Sequence, residues 1–288
     1  MNSLQDLANI NDDLNLISEA QNGDPKSFEQ LYFLYENFVF NLCLKFHYNQ
    51  SCAQDAAQEI WIHTFQRLKS FEGRSKFSTW LYRVAVNYLI SAKRTEQQKS
   101  LSFEGFPKRL NSFPKSPLPH DNEYDIPNSL LVDEAMVSCT TAMLLCFSPK
   151  QRIVYLLGAV FELTSNDAAE ILDIKPDTFR QQLSRARKDL YSFMHSQCSL
   201  VNPDNPCRCK HKTTRFIKEG YVNPEKLVFI PDHFKKSEDK SREKLAMIMD
   251  LKEESFSILH KEREAANNPN KLGLIKNLIN DVNIQKIF

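Results

Sequence analysis

The stretch TSNDAAEILDIKPDTFRQQLSRARKDLYSFM, residues 164–194, decides how the chain is read. Thr164 and Asp167 stand three apart before an apolar run, the spacing of a capping box with aspartate in the acidic place. Asp173-Ile174-Lys175 is short enough to be only a turn. Pro176 suits the first position of a second helix. On that helix Phe179, Leu183, Ala186, Leu190 and Phe193 recur at steps of four, three, four and three, so they share one inward face. Arg180, Gln181, Ser184, Arg185 and Lys188 point largely away, with Thr178 near the helix start and Arg187 on a flank. Arginine and lysine meet phosphates and guanine edges, and glutamine and serine exchange hydrogen bonds with base edges. Two short helices, a tight turn and a second helix that is basic and polar outside form the helix-turn-helix layout.

Working outward, the chain predicts an all-α protein of several blocks. Its 288 residues allow two ordinary domains, 42% are hydrophobic, and glycine is scarce at six residues. The net charge is only +1, so a nucleic-acid footprint has to come from local clustering. The first block spans 12–94. Gly23 ends a short helix, Asp24 caps the next, and Pro25 opens it. Phe28, Leu31, Tyr32, Tyr35, Phe38, Val39 and Leu42 make that next helix long and amphipathic. Further helices are expected over Ala53–Lys69 and Ser78–Arg94. Residues 95–130, rich in proline and serine, read as a mobile linker without a sustained period, the alternative being an ordered loop docked through Phe103, Phe106 and Phe113.

The second block, 131–198, holds a helix over Val132–Phe147, a Ser148-Pro149 start, the helix KQRIVYLLGAVF and the helix-turn-helix. The third, 199–288, combines a cysteine-containing junction with a mainly helical extension. Leu245, Ile248, Met249, Phe256 and Leu259 suggest one long helix in it, and Ile275, Leu278, Ile279 and Val282 a shorter one.

The basic excess hidden by the neutral total lies in residues 66–94. Arg67, Lys69, Arg74, Lys76, Arg83, Lys93 and Arg94 face a single acid, Glu72. Such a run attracts a nucleic-acid backbone through counterion release. Phe71, Phe77, Trp80, Tyr82 and Tyr88 interleave with it and offer stacking surfaces for unpaired bases. Some must be core instead, and Trp80 and Tyr88 are the residues first assigned there. Asp55, Gln58, Glu59, Trp61 and Ile62 place acidic and amide groups beside an aromatic face, which suits a protein partner.

LTSNDAAEILDIKPDTFRQQLSRARKDL resembles the promoter-binding helix-turn-helix of sigma-70-type RNA polymerase sigma factors, particularly the extracytoplasmic-function group. SPKQRIVYLL is similar to that family's lead-in helix. QDAAQEIWIHTFQRLKSFEGRSKFSTWLYRVAVNYLISAKR resembles the central pattern of its other domain. The two matches come in the family's order and cover roughly the first two-thirds of the chain. One departure is Asp173, where the family usually has glycine. Another is Ser91, where it commonly has aspartate.

The resemblance implies a sigma factor that binds core polymerase, opens promoter DNA and carries out no covalent chemistry itself. It implies duplex contacts at the −35 element through Thr178, Arg180, Gln181, Ser184, Arg185, Arg187 and Lys188. For the −10 element it implies Arg74, Lys76, Phe77, Trp80, Arg83, Asn87, Lys93 and Arg94. Asp55, Gln58, Glu59, Trp61 and Ile62 would dock on the clamp coiled coil of the polymerase's largest subunit. Whether an anti-sigma partner exists is left open. The rival reading is a helix-turn-helix DNA-binding regulator with a metal- or thiol-sensing C-terminal region.

No phosphate loop, nucleophile constellation or paired acid–base motif points to an enzyme. MNSLQDLANINDDLNL lacks the basic start and apolar run of a secretory signal, and no stretch reads as a bilayer span. A cytoplasmic protein without membrane insertion, and with mainly reduced cysteines, is therefore expected. HSQCSLVNPDNPCRCKHK gathers Cys198, Cys207 and Cys209 with His195 and His211. Three readings stand for it: a zinc site, redox-reactive thiols, or an unligated junction. No cofactor is required by the rest of the chain.

Overall fold

The structure is a computed structural model that describes residues 14–91, 101–120, 123–225 and 227. The helices predicted around Leu245 and Ile275, and Lys93 and Arg94 of the basic run, lie outside the described residues. The described helices are α1 (Leu14–Gln21), α2 (Pro25–His47), α3 (Gln50–Arg67), α4 (Phe77–Ser91), α5 (Gly105–Ser112), α6 (Asn128–Met143), α7 (Pro149–Tyr155), α8 (Ser165–Leu172), α9 (Pro176–Gln197) and α10 (Thr213–Lys218). No strand occurs among the described residues beyond an isolated bridge between Cys198 and Cys207. The chain divides into two compact units, one containing 14–91 with 156–181, the other 101–155 with 182–227.

The first unit is built as the sequence dictates. Gly23 sits at a φ of 96°. The Asp24 carboxylate then accepts from the Ser27 N–H at 2.9 Å, and Pro25 begins α2. The apolar period of α2 meets α3 through aromatic edges. Phe28 lies 4.4 Å from Phe65, and Tyr32 lies 4.9 Å from Trp61. Further along α2, Phe38 packs at 4.0 Å on Tyr82 of α4 and at 5.3 Å on Phe161. Gln21 closes the α3–α4 connection by donating to the carbonyls of Leu68 (3.0 Å) and Phe71 (2.7 Å).

The helix-turn-helix begins as its capping box predicts. Thr164 Oγ1 accepts from the Asp167 N–H at 3.2 Å. α8 ends on Asp173 in the left-handed conformation, φ 53° and ψ 49°, with the Ile174 N–H returning to the Ala169 carbonyl at 3.0 Å. Aspartate tolerates that conformation better than most residues. Ahead of this pair, α7 widens into a π-helical turn over Leu156–Val160, which its apolar run does not predict.

In the second unit, residues 101–120 correct the reading of a mobile linker. Phe103, Phe106, Leu110 and Phe113 recur at three, four and three, a helical period set among the prolines and serines. The Ser102 hydroxyl accepts from the Gly105 N–H at 3.0 Å, and α5 follows. Phe103 stacks edge-on at 5.0 Å against Phe147, and Phe106 lies 5.9 Å from Phe193. These are the docked phenylalanines of the alternative reading.

Arg152 of α7 is buried, yet it donates to the carbonyls of Leu144 (2.9 Å), Leu145 (3.2 Å) and Phe147 (3.3 Å). It thereby satisfies a helix end that has lost its own donors. Asn128–Cys146, α6 with its 3₁₀ extension, is long and apolar enough by composition to cross a bilayer, contrary to the sequence reading. In this fold it is a core helix, with Glu134 and Ser138 buried along it.

Candidate nucleic-acid interface

α9 separates its faces cleanly. Phe179, Leu183, Ala186, Leu190 and Phe193 are buried, as the wheel requires. Arg180, Gln181, Ser184, Arg185 and Lys188 are turned to solvent, Gln181 among the exposed ones, and Thr178 and Arg187 are half-buried. The geometry therefore presents the predicted duplex set as one solvent-facing surface behind a capped, tightly turned helix pair. Two members differ from the rest. Arg180 forms an ion pair with Asp177 one turn earlier, both side chains largely in solvent. Arg187 lies near the Tyr155 phenol. Burial pushes that phenol well above its usual range and the Arg187 charge pulls it back. Arg187 is thus the least exposed of the α9 cations.

The aromatic-basic segment is divided differently from expectation. Phe77 is only 1% exposed, wedged between Tyr35 (5.4 Å) and Phe71 (5.5 Å), so it is core and not a stacking platform. Phe71 and Tyr82 are buried as well. Trp80 and Tyr88, first assigned to the core, are the half-exposed rings. The reason lies in the neighbours. Positions 77 and 82 face the aromatic seam of α2, while Trp80 leans on Phe71 and Phe77 from outside, 5.5 and 5.6 Å away.

Trp80, Arg83 and Asn87 follow at three and four and share one face of α4, with Lys76 just before the helix. Lys76 and Asn87 are exposed. Arg74 is exposed and paired with Glu72, the lone acid of the run. Ser91 turns its hydroxyl back to the Tyr88 carbonyl at 2.9 Å.

Arg83 is engaged elsewhere. Its guanidinium donates to the Glu170 carbonyl at 2.7 Å, in the last turn of α8. Helix C-termini leave carbonyls unsatisfied and attract cations. In this arrangement Arg83 ties the helix-turn-helix to α4.

On α3, Asp55 and Glu59 are exposed, and Gln58 and Ile62 are half-buried. Trp61 is corrected: at 2% exposure it is packed against Phe28 and Tyr32 and belongs to the core. Tyr88 sits beside the acidic face, its ring 5.7 Å from His63. Its phenol is raised first by burial and then by the Glu59 charge, with smaller contributions from Cys43 and Asp55. α2 adds a feature that periodicity missed, because Phe33 and Leu34 fall outside its apolar rhythm. They are 38% and 43% exposed.

The cysteine junction is also revised. Cys198, Cys207 and Cys209 line one cavity, and the fourth cysteine there is Cys139 of α6. His195 is exposed with its ring 5.7 Å from Tyr191, and neither it nor His211 lines the cavity. Among the described residues, no three or more histidine, cysteine, aspartate or glutamate side chains already stand at metal-holding separations.

Comparison with known proteins bears on both helical surfaces. A family model described as sigma-70 region 2 matches residues 31–99, and one described as sigma-70, region 4 matches residues 139–190. The chain is 27% identical over 180 residues to the ECF RNA polymerase sigma factor SigW of Bacillus subtilis, covering 60% of this chain and 92% of that protein. It is equally 27% identical over 180 residues to the ECF RNA polymerase sigma-E factor of Escherichia coli, covering 60% and 89%. Among solved structures it is similar to CnrH in complex with the cytosolic domain of CnrY, with a TM-score of 0.44 and 17% identity over 64% of this chain and 97% of that one.

Proposed function

Because the chain belongs to the sigma-70 family of RNA polymerase sigma factors, in its extracytoplasmic-function group, we propose that its two helical surfaces divide promoter recognition between them. As a sigma factor it works with core RNA polymerase in promoter recognition and transcription initiation. The exposed face of α9 reads duplex DNA at the upstream element, chiefly through Arg185, Gln181, Ser184 and Lys188. Trp80 and Asn87 of α4, with Arg74 and Lys76 before it, hold the unpaired strand of the downstream element. The acidic face of α3 docks on the clamp coiled coil of the largest polymerase subunit through Asp55, Gln58, Glu59 and Ile62. The protein acts in the cytoplasm, where core polymerase is found, and an anti-sigma partner belongs to the same proposal.

The observation that carries this reading is the segregation of α9. A helix capped through Thr164 and turned on Asp173 is followed by one whose apolar side is buried and whose basic, amide and hydroxyl side chains face solvent. That combination reads base edges while neutralising phosphates.

The test is run-off transcription from genomic fragments, with the purified chain added to core polymerase and the start sites sequenced. New starts that share two spaced upstream elements are expected. Absence of both new starts and core binding overturns the reading in favour of a DNA-binding regulator that does not engage polymerase.

A further inference from the structure

The junction after α9 is a built structure. Cys198 N–H closes the helix on the Met194 carbonyl at 2.8 Å. The loop that follows is pinned by Asn205, whose amide donates to the carbonyls of His195 (2.8 Å) and Cys198 (3.2 Å). The Arg208 guanidinium donates to the carbonyls of Pro203 and Asn205. Cys207 thereby returns to pair with Cys198 in the bridge, and the Ser199 N–H meets the Cys207 carbonyl at 3.3 Å. A 3₁₀ turn then carries Cys209 back toward α6.

The outcome is one cavity with a cysteine on each of several walls. Cys139 comes from α6, Cys198 from the end of α9, and Cys207 and Cys209 from the returning segment. Met136, Met143, Phe193 and Phe216 make much of the remaining lining apolar.

We propose that Cys139, Cys198, Cys207 and Cys209 bind one zinc ion as a tetrathiolate. Four sulfur donors suit a tetrahedral structural site, and soft thiolates select zinc over hard divalent cations. Partial or full burial raises each of the four free thiols above its usual range. Cys198 is pushed up to about 11 and Cys209 to about 12, and in Cys209 the neighbouring Cys198 and Cys207 add to the shift. A zinc ion displaces the four thiol protons and leaves a site of net charge −2. Cations to balance that charge are in place. Lys212 lines the cavity, and its charge and that of Arg208 already pull the Cys207 thiol downward against burial.

The four side chains do not yet form a group placed to hold one ion, so metal binding requires side-chain rearrangement within the cavity. This ligand set differs from the one the sequence suggests. Cys139, which precedes the whole helix-turn-helix, replaces both imidazoles. Zinc would join α6 to the junction. The junction in turn grips the end of α5, because the Lys212 ammonium donates to the carbonyls of Leu110 (2.9 Å) and Phe113 (2.6 Å). Metal content is measured directly and does not depend on a promoter assay.

The experiment uses the full, untagged chain purified under reducing conditions. Zinc is measured by elemental analysis, and cobalt(II) is then exchanged in and its absorption recorded. About one zinc per chain is expected, together with the thiolate-to-cobalt charge transfer and strong visible bands of a tetrahedral sulfur site. Cys139→Ser should weaken zinc retention against a chelator at least on the order of 10-fold. His195→Ala and His211→Ala should leave it unchanged. A chain that retains no zinc and gives no thiolate band with cobalt overturns the proposal, whatever the variant's folding. So does metal binding that survives Cys139→Ser but is lost with either histidine.

Discussion

α9 and α4 both carry side chains that the sequence assigns to DNA, yet the fold treats them differently. On α9 the polar residues fall on one side and the apolar residues on the other, so the helical wheel predicts exposure position by position. On α4 nearly every turn carries an aromatic or a branched apolar side chain. Which ring is buried is decided by the seam that α2 presents to it. Phe77 and Tyr82 are taken into that seam, Trp80 and Tyr88 are left at its edge, and Arg83 is captured by the end of α8. Periodicity can assign a face only when the two faces differ in composition.

The sharpest test of this contrast pairs two neighbouring rings. Phe77→Ala should destabilise the first unit by about 3–5 kcal/mol, because it removes a fully buried ring from between Tyr35 and Phe71. Trp80→Ala should cost clearly less stability and should reduce binding of the unpaired downstream strand by about 1–3 kcal/mol. Chemical denaturation and a fluorescent single-strand binding assay, with core polymerase present, separate the two. Equal losses of stability would mean that Trp80 is as much core as Phe77.

A second pair sits on α9. Arg185→Ala should weaken specific duplex binding by about 1–3 kcal/mol with little change in stability, and should relax the preference at one position. Arg187→Ala should show a smaller, sequence-independent loss and a flatter salt dependence, because Arg187 is half-buried on the flank of the face. Binding isotherms over a salt series decide this. An Arg185 variant that keeps its affinity and preference at every salt concentration removes that residue from the interface.

These contrasts mark what the sequence made legible. The helix-turn-helix, its cap and its turn, and the polar face of α9 were all readable, because each depends on contacts within a few residues. The opening of α2 at Gly23, Asp24 and Pro25 was readable for the same reason. Trp61 and Phe77 were misassigned because their environments come from other helices. The ordered segment 101–120 was missed because its period of Phe103, Phe106, Leu110 and Phe113 is spread among prolines and serines that normally signal a linker. Cys139 was invisible as a partner of the late cysteines because only the tertiary fold brings α6 to the junction.

The local features carry smaller energies and finer tests. Thr164→Ala removes the side chain that caps α8 and should cost about 1 kcal/mol. The loss should appear as faster amide exchange in α8, while exchange in α2 and α3 is unchanged. Uniform acceleration throughout the first unit would mean that the cap is not a local feature.

Asp173 gives the smallest effect and the most direct test of the turn. It stands at φ 53°, a conformation in which a Cβ crowds the following carbonyl oxygen and which glycine adopts freely. Asp173→Gly should therefore relieve strain in the folded turn. Glycine also gives the unfolded chain more freedom, which offsets part of the gain. The balance should be a stabilisation of about 0.5 kcal/mol, read as a small upward shift in the denaturation midpoint at unchanged slope. A midpoint that falls instead would show that the Asp173 side chain supports the turn it occupies. The departure from the family's usual glycine would then be a second way of making the same turn rather than a tolerated strain.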